Sequence, residues 1–169
     1  VIAKPVSRTE YLLGRYAGLA LLLVVNLAVM AAVLALVLVV EAGGLRDLDL
    51  PLLAAFGMLG VQFLVVGALA ILFSSITSST LAAILGLSLV VAGHLTNEMR
   101  ALWQDEGTRW LAKAIWYAVP NLGALSLNEA VIYRTPVTAE AWSAALYAVL
   151  YAAAALAIAS FGFERRDMK

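Results

Sequence analysis

The stretch 17–40, AGLALLLVVNLAVMAAVLALVLVV, decides the fold of this chain. About 20 apolar residues suffice to cross the roughly 30 Å hydrocarbon layer of a bilayer as a helix, and this stretch is long enough to do so. Its only strongly polar residue is Asn26. The stretch therefore predicts a transmembrane helix, and the protein that contains it is expected to be an integral membrane protein.

The composition of all 169 residues supports the same interpretation. Hydrophobic residues make up 64% of the chain and charged residues only 13%, an apolar share that a soluble domain of this size could not hide in its core. The net charge of zero gives no sign of a nucleic-acid partner, and we expect none. Without cysteine and with the single histidine His94, disulfides, thiolate metal sites and histidine-rich metal sites are excluded within this chain.

Four apolar runs predict an all-α bundle of transmembrane helices that forms one domain over residues 1–169. A cytoplasmic segment, 1–16, precedes the first run. The predicted spans cover about 17–40, 52–73, 79–96 and 142–163. The third span is the shortest, and the hydroxyl-rich sequence SSITSST before it predicts a tight hairpin between the second and third spans.

The outer loop, 97–141, is the least regular part of the sequence. Tryptophans and basic residues alternate in it, at Trp103, Arg109, Trp110, Lys113 and Trp116. This mixture is typical of a helix that lies in the headgroup region, and Pro120 is expected to end that helix. The apolar piece 122–133 is too short to span, so we expect it to lie flat or to re-enter the membrane.

The positions of the basic residues predict the orientation of the bundle. Short cytoplasmic segments carry an excess of Lys and Arg. Six of the eleven basic residues lie before the first span or after the last, at Lys4, Arg8, Arg15, Arg165, Arg166 and Lys169. Because four crossings return the chain to its starting side, we expect both ends to face the cytoplasm.

Two polar residues inside the spans are candidate functional residues, because polar groups are costly in hydrocarbon. For Asn26 and Gln62 we favour hydrogen bonds between helices over a catalytic role. Gly14 and Gly18 form a small-xxx-small pair at the start of the first span, a spacing that suits close helix packing.

A second group of polar residues lies at the outer end of the third span. His94 and Glu98 are four positions apart and share a helix face. This spacing leaves open a proton relay or half of a metal site, although the second histidine of a metalloprotease helix is missing. We favour a hydrogen-bonded cap at the outer interface, where Trp110 and Trp116 are also expected.

No nucleotide-binding motif is present in the sequence. A phosphate-binding loop needs a lysine directly after glycine, and none of the lysines, Lys4, Lys113 and Lys169, follows one. There is no G-x-S-x-G elbow either. We therefore expect this chain to bind no cofactor and to catalyse no reaction itself.

Four stretches, in order along the chain, resemble ABC transporter permeases of the type-two exporter class. They are VIAKPVSRTEYLLGRYAG, LFSSITSSTLAAILGLSLVVAGHLT, YAVPNLGALSLNEAVIY and FGFERRDMK. The first is similar to the cytoplasmic segment of these permeases, and the others to their central hairpin, outer loop and cytoplasmic end. Within the class, the chain most resembles the subgroup that contains the permease of the nitrous-oxide reductase maturation system.

The resemblance implies an architecture and partners. Such permeases usually have six spans, so the chain is expected to be a C-terminal fragment that holds spans three to six, in the inner membrane of a bacterial or archaeal cell. They work as dimers, and ATP is bound by a separate ABC ATP-binding subunit. The residues matching the segment that docks this subunit are Lys4, Pro5, Ser7, Arg8 and Glu10. The alternative is that the basic residues of this segment only anchor the helix to anionic lipid headgroups.

The leading hypothesis from the sequence is a permease subunit of an ATP-driven exporter in the lipid bilayer. Two alternatives stay open at this point: a polytopic membrane enzyme that uses His94 and Glu98, and a structural subunit that only assembles partners. The almost wholly aliphatic spans favour a lipid-like, peptide or other hydrophobic cargo over a small ion. The direction of transport follows from the resemblance alone.

Overall fold

A computed structural model describes residues 8–42, 49–95, 110 and 119–165 of the chain. The regular elements in these ranges are all helical, in agreement with the predicted all-α class. They are α1 (Arg8–Ala42), α2 (Leu50–Ile76), α3 (Ser79–Leu95), a 3₁₀ helix (Gly123–Leu125), α4 (Asn128–Ile132) and α5 (Ala139–Arg165).

Three of these helices are long and apolar enough to cross a membrane: Thr9–Glu41, Leu50–Ile76 and Ala139–Gly162. The third apolar helix, α3, has only 17 residues. At 1.5 Å per residue it is about 25 Å long, which is less than the roughly 30 Å hydrocarbon core. The first, second and last of the four predicted spans therefore have a helix of sufficient length. A full crossing by α3, the third predicted span, stays a prediction.

Helix α1 begins well before the predicted first span. It starts at Arg8, inside the segment 1–16 that the sequence analysis assigns to the cytoplasm. This early part packs onto α2, because the hydroxyl of Tyr16 donates a hydrogen bond of 3.1 Å to the carbonyl oxygen of Leu64. The first span is thus the continuation of a helix that is already formed before residue 17.

Local signals fix both ends of α2. The Asp49 side chain caps its start by accepting the backbone N–H of Leu52 at 3.2 Å, and Pro51 occupies a first-turn position where its missing N–H costs nothing. At the other end, the backbone N–H and the hydroxyl of Thr77 both donate to Phe73, at 2.8 and 2.9 Å. Only Thr77 and Ser78 separate α2 from α3, so the hairpin is tight.

The centre of the bundle is the contact between α2 and α5. Small residues dominate it on the α5 side, where four alanines are nearly or fully buried: Ala148, Ala152, Ala155 and Ala159. The first three belong to one core with Val65 and Ala68 of α2, both of which are completely buried. Small side chains let helices approach closely where no hydrophobic effect drives them together, which explains the alanine-rich sequence of the last span.

Helix α1 packs on the outside of this pair. A Cβ added at Gly60 would lie 3.2 Å from Leu27 Cδ2, and one at Gly67 only 2.7 Å from Leu19 Cδ2. These two glycines of α2 therefore let α1 approach. The most apolar 18-residue stretch of α1 nevertheless contains no buried residue, so most of its surface is left for lipid or another protein.

The two ends of the bundle are built differently. At one end, Gly162 of α5 lies against Ile76 and Ser75 of α2, and Leu12 of α1 packs with Ile71 and Ala159. We call this the hinge end because the α2–α3 hairpin lies there. The opposite end, where α2 and α5 begin at Leu50 and Ala139, is the loop end.

Candidate functional site

Helix α3 starts at the hinge end, and the structure describes it as far as Leu95. Its His94 lies beside Gln62, with 2.7 Å between the two Nε2 atoms. Gln62 is twelve residues from the start of α2 at Leu50, which corresponds to about 18 Å along the helix. The described end of α3 therefore lies beside the middle of α2.

The irregular segment 119–127 packs against the described end of α3. The backbone N–H of Leu122 donates to the carbonyl oxygen of Gly93 at 3.1 Å, and the Leu122 side chain is only 1% exposed. A Cβ at Gly93 would lie 2.8 Å from the Pro120 oxygen and 2.9 Å from Leu122. Position 93 thus admits only glycine without movement of the neighbouring backbone.

The segment supports itself with local hydrogen bonds before it joins α4. The side-chain oxygen of Asn121 accepts the backbone N–H of Ala124 at 3.1 Å, and Leu125 donates to the Leu122 carbonyl at 3.1 Å. Leu125, which is 3% exposed, belongs to the same apolar core as Leu122. The predicted short piece 122–133 is therefore two helical turns, of which the first is buried against α2, α3 and α5.

A cavity of about 320 Å³ remains between α2, the end of α3 and this segment. The described residues that line it are Ala55, Phe56, Leu59, Gln62, His94, Leu125, Ser126, Leu127 and Asn128. Five of the nine are apolar and four carry uncharged polar groups. This volume lies at the lower end of the range of small-molecule sites, which are typically apolar with a few well-placed polar groups.

Two hydrogen bonds fix the imidazole of His94 in the cavity wall. Its Nδ1 lies 2.9 Å from the carbonyl oxygen of Val90. Because a carbonyl only accepts, Nδ1 carries the hydrogen, and Nε2 accepts from the amide nitrogen of Gln62. This pair connects α2 to α3.

Other polar groups of the cavity have no such partner. Within the described ranges, no side-chain hydrogen bond is formed by the hydroxyl of Ser126 or by the amide of Asn128, and both residues are exposed. The carbonyl oxygen of the Gln62 side chain is also not used in the bond to His94. The cavity therefore offers donors and acceptors to a bound molecule.

A second, smaller cleft of about 40 Å³ lies at the hinge end. It is lined by Tyr11, Leu12, Arg15, Ile71, Ser74 and Ser75. Arg15 is exposed, whereas Ser75 is buried and donates its hydroxyl to the Leu72 carbonyl at 2.7 Å. The hinge end thus combines a positive charge on α1 with the hydroxyl-rich end of α2.

The residues predicted to couple to an ATP-binding subunit fall mostly outside the described ranges. Lys4, Pro5 and Ser7 precede them, and of Arg8 only its position as the first residue of α1 is described. Glu10 lies exposed in the first turn of α1, where a carboxylate is favoured by the helix dipole. Helix α1 therefore places the end of the predicted docking segment at the hinge end.

The residues predicted to serve helix packing have different environments. Gln62 makes the bond to His94 across α2 and α3. Asn26 is exposed and has no hydrogen-bond partner in the described part of the chain. A Cβ at Gly14 or Gly18 would meet nothing within 4 Å, so neither glycine makes a close contact there. The close approaches are instead at Gly60, Gly67 and Gly93.

The structure describes only some of the residues that were predicted to lie at the outer interface. His94 lies in the last described turn of α3. Glu98 and Trp116 lie outside the described residues, so the cap at the outer interface stays a prediction. Trp110 is 70% exposed. Among the residues that the structure describes, no group of three or more His, Cys, Asp or Glu side chains is placed to hold a metal ion.

Sequence reasoning missed the contribution of Ser126 and Asn128 to the cavity. No local pattern marks them, although their sequence, SLN, directly follows the buried Leu125. The contact at position 93 does have a signal, because a glycine inside a span lets backbones approach closely.

The arrangement of helices agrees with a comparison to known families. The family model for "ABC-2 family transporter protein" matches residues 1–168. The chain belongs to the ABC-2 transporter family. It is therefore a multi-pass membrane protein and a permease component of an ABC transporter. Such membrane components are generally non-catalytic, and membership implies association with an ABC ATP-binding subunit. No curated protein and no solved structure matches the chain.

Proposed function

We propose that this permease couples ATP hydrolysis by a separate subunit to the export of a substrate, and that it works as a dimer. The observation that carries the proposal is the family match along residues 1–168. The four ordered stretches that resemble type-two exporters support the export direction and the two-copy assembly. The resemblance to the nitrous-oxide reductase maturation subgroup is a finer prediction of the same kind.

The hinge end is the side on which we expect the ATP-binding subunit to dock. Helix α1 starts there at Arg8 and carries the exposed Arg15, and α5 ends there at Arg165. The loop end carries Asp49 and Glu140 at the starts of α2 and α5, and one cation, Arg134, lies near it before α5. Because basic residues are enriched on the cytoplasmic side, this distribution supports a cytoplasmic hinge end.

The segment 119–132 is, in this proposal, a re-entrant element of the outer half of the membrane. Its buried residues contact the middle of α2 rather than its end, as the bond from Leu122 to Gly93 and the pairing of His94 with Gln62 indicate. Irregular backbone is tolerated at membrane depth where protein covers it or where it lines an aqueous cavity. This segment fits that rule, because protein covers Leu122 and Ser126 lines the cavity.

A co-purification experiment tests the proposed function. The permease is expressed with its candidate ATP-binding subunit, and complex yield and ATPase rate are compared between wild type, Arg15→Gln and Arg134→Gln. Each substitution removes one positive charge, at the hinge end and near the loop end respectively. We expect a stable wild-type complex whose yield or ATPase rate falls only with Arg15→Gln. A wild-type permease that binds no ATP-binding subunit would contradict the proposal.

A further inference from the structure

The cavity beside Gln62 has a composition that selects for one class of ligand. None of the nine lining residues that the structure describes is an aspartate, glutamate, lysine or arginine. A charged ligand would lose its hydration on entry and find no opposite charge among these residues, which is costly. The lining therefore favours an uncharged molecule.

The positions of the polar and apolar groups in the cavity lining indicate further what kind of ligand the cavity can hold. Gln62 and His94 form a polar pair on one wall, and Ser126 and Asn128 contribute polar groups from the segment that closes the cavity. The remaining lining consists of alanine, leucine and phenylalanine side chains. An apolar chain can contact this lining while a hydroxyl or amide head reaches the unused acceptor of Gln62 and the groups of Ser126 and Asn128.

We propose that this cavity is a binding site for an amphiphile with an uncharged hydroxyl or amide headgroup, held by Gln62, Ser126 and Asn128 within reach of His94. The site is a substrate subsite if the proposed export function holds, but binding itself does not depend on that function. Water is the competing occupant, since the volume corresponds to about ten water molecules at their liquid density. A ligand must replace the hydrogen bonds of these waters.

Photolabelling of the purified permease tests the proposal. The probe is a monoacylglycerol with a diazirine in its acyl chain, and the comparison probes carry the same chain with a carboxylate or a quaternary ammonium head. We expect the uncharged probe to label peptides that contain 55–62 or 125–128, and to do so more strongly than either charged probe. Labelling spread evenly over α1 and α5, or equal labelling by all three probes, would overturn the proposal.

Two variants and one matched control separate the site from general lipid contact. Gln62→Leu and Asn128→Leu each remove hydrogen-bonding groups from the cavity, whereas Asn26→Leu makes the same kind of change on the exposed face of α1. We expect labelling to weaken about three- to tenfold in each cavity variant, as for the loss of one or two hydrogen bonds, and to be unchanged in Asn26→Leu. Equal labelling in all variants would show that these groups hold no ligand.

A failure of the cavity proposal can be distinguished from a failure of the proposed function. Complex formation with the ATP-binding subunit is measured on the same preparations, and Asn128→Leu keeps the bond between Gln62 and His94 that joins α2 to α3. If the complex forms and site-specific labelling is missing, only the cavity proposal fails. If labelling is specific and no complex forms, the transporter proposal fails while the binding site stands.

Discussion

The hinge end and the loop end of this bundle are held together by different kinds of contact. At the hinge end, two residues join α2 to α3, and the hydrogen bonds of Thr77 return to its own helix. Towards the loop end, a segment about 30 residues further along the chain packs on the last described turn of α3 through Leu122. The hinge end is therefore determined by local sequence, and the loop end by a contact between distant segments.

This difference matters for what each end can do. The hinge end offers an exposed cation and hydroxyl groups, which suit contact with a soluble subunit. The loop-end side holds a cavity whose described lining is apolar and uncharged polar, which suits a small ligand. Helix α2 contributes both to this cavity, at Gln62, and to the hinge-end cleft, at Ser75.

The largest expected loss of stability is at the loop end, for Leu122→Ala. Leu122 is 1% exposed and touches Gly93, so truncation leaves a cavity and is expected to cost about 2–5 kcal/mol. The matched control is Leu87→Ala on α3, since Leu87 is 68% exposed, and its cost is expected to stay within about 0.5 kcal/mol. Thermal unfolding of both purified variants in detergent measures the difference. Equal effects would mean that the segment around Leu122 is not docked on α3.

An intermediate effect is expected for Gly93→Ala. The added Cβ would lie 2.8 Å from the Pro120 carbonyl oxygen, and relieving such overpacking typically costs about 1–3 kcal/mol. Gly86→Ala on the same helix meets nothing within 4 Å and should be neutral or slightly stabilising, because alanine favours helices by about 1 kcal/mol over glycine. The two unfolding temperatures should therefore shift in opposite directions. A stabilising Gly93→Ala would show that α3 and the 119–127 segment are further apart.

The smallest loss of stability is expected at the hinge end, for Thr77→Val. The substitution keeps the β-branched shape and the backbone N–H bond to Phe73, and removes only the hydroxyl bond of 2.9 Å. We expect a cost of about 1 kcal/mol or less, measured as above. A loss as large as that of Leu122→Ala would reverse the comparison, since the hinge end would then depend on more than local contacts.

The sequence predicted the features that depend on neighbouring residues. Hydropathy located the three long helices, and Pro51 and the run of Ser and Thr marked the start and end of α2. It did not predict that α1 would already be helical from Arg8, because that part of the helix is amphipathic and polar rather than apolar.

The candidate site was predicted only as separate residues. Gln62 and His94 were both singled out, but their bond joins positions 32 apart, and no local pattern indicates such a pair. The glycines show the same limit: Gly18 of α1 and Gly67 of α2 are equally small, yet only Gly67 lies at a close contact between the two helices, against Leu19. Which face meets which helix is determined by packing of the whole bundle.

The most direct test of the central claim uses the absence of cysteine from the chain. Single cysteines are introduced at two exposed positions, Ser78→Cys at the hinge end and Thr138→Cys at the loop end, and each is treated with a thiol–amine crosslinker in membranes that contain the ATP-binding subunit. The account predicts a crosslink to that subunit from residue 78 and none from residue 138. Crosslinking from 138 alone would place the subunit at the loop end and contradict the account.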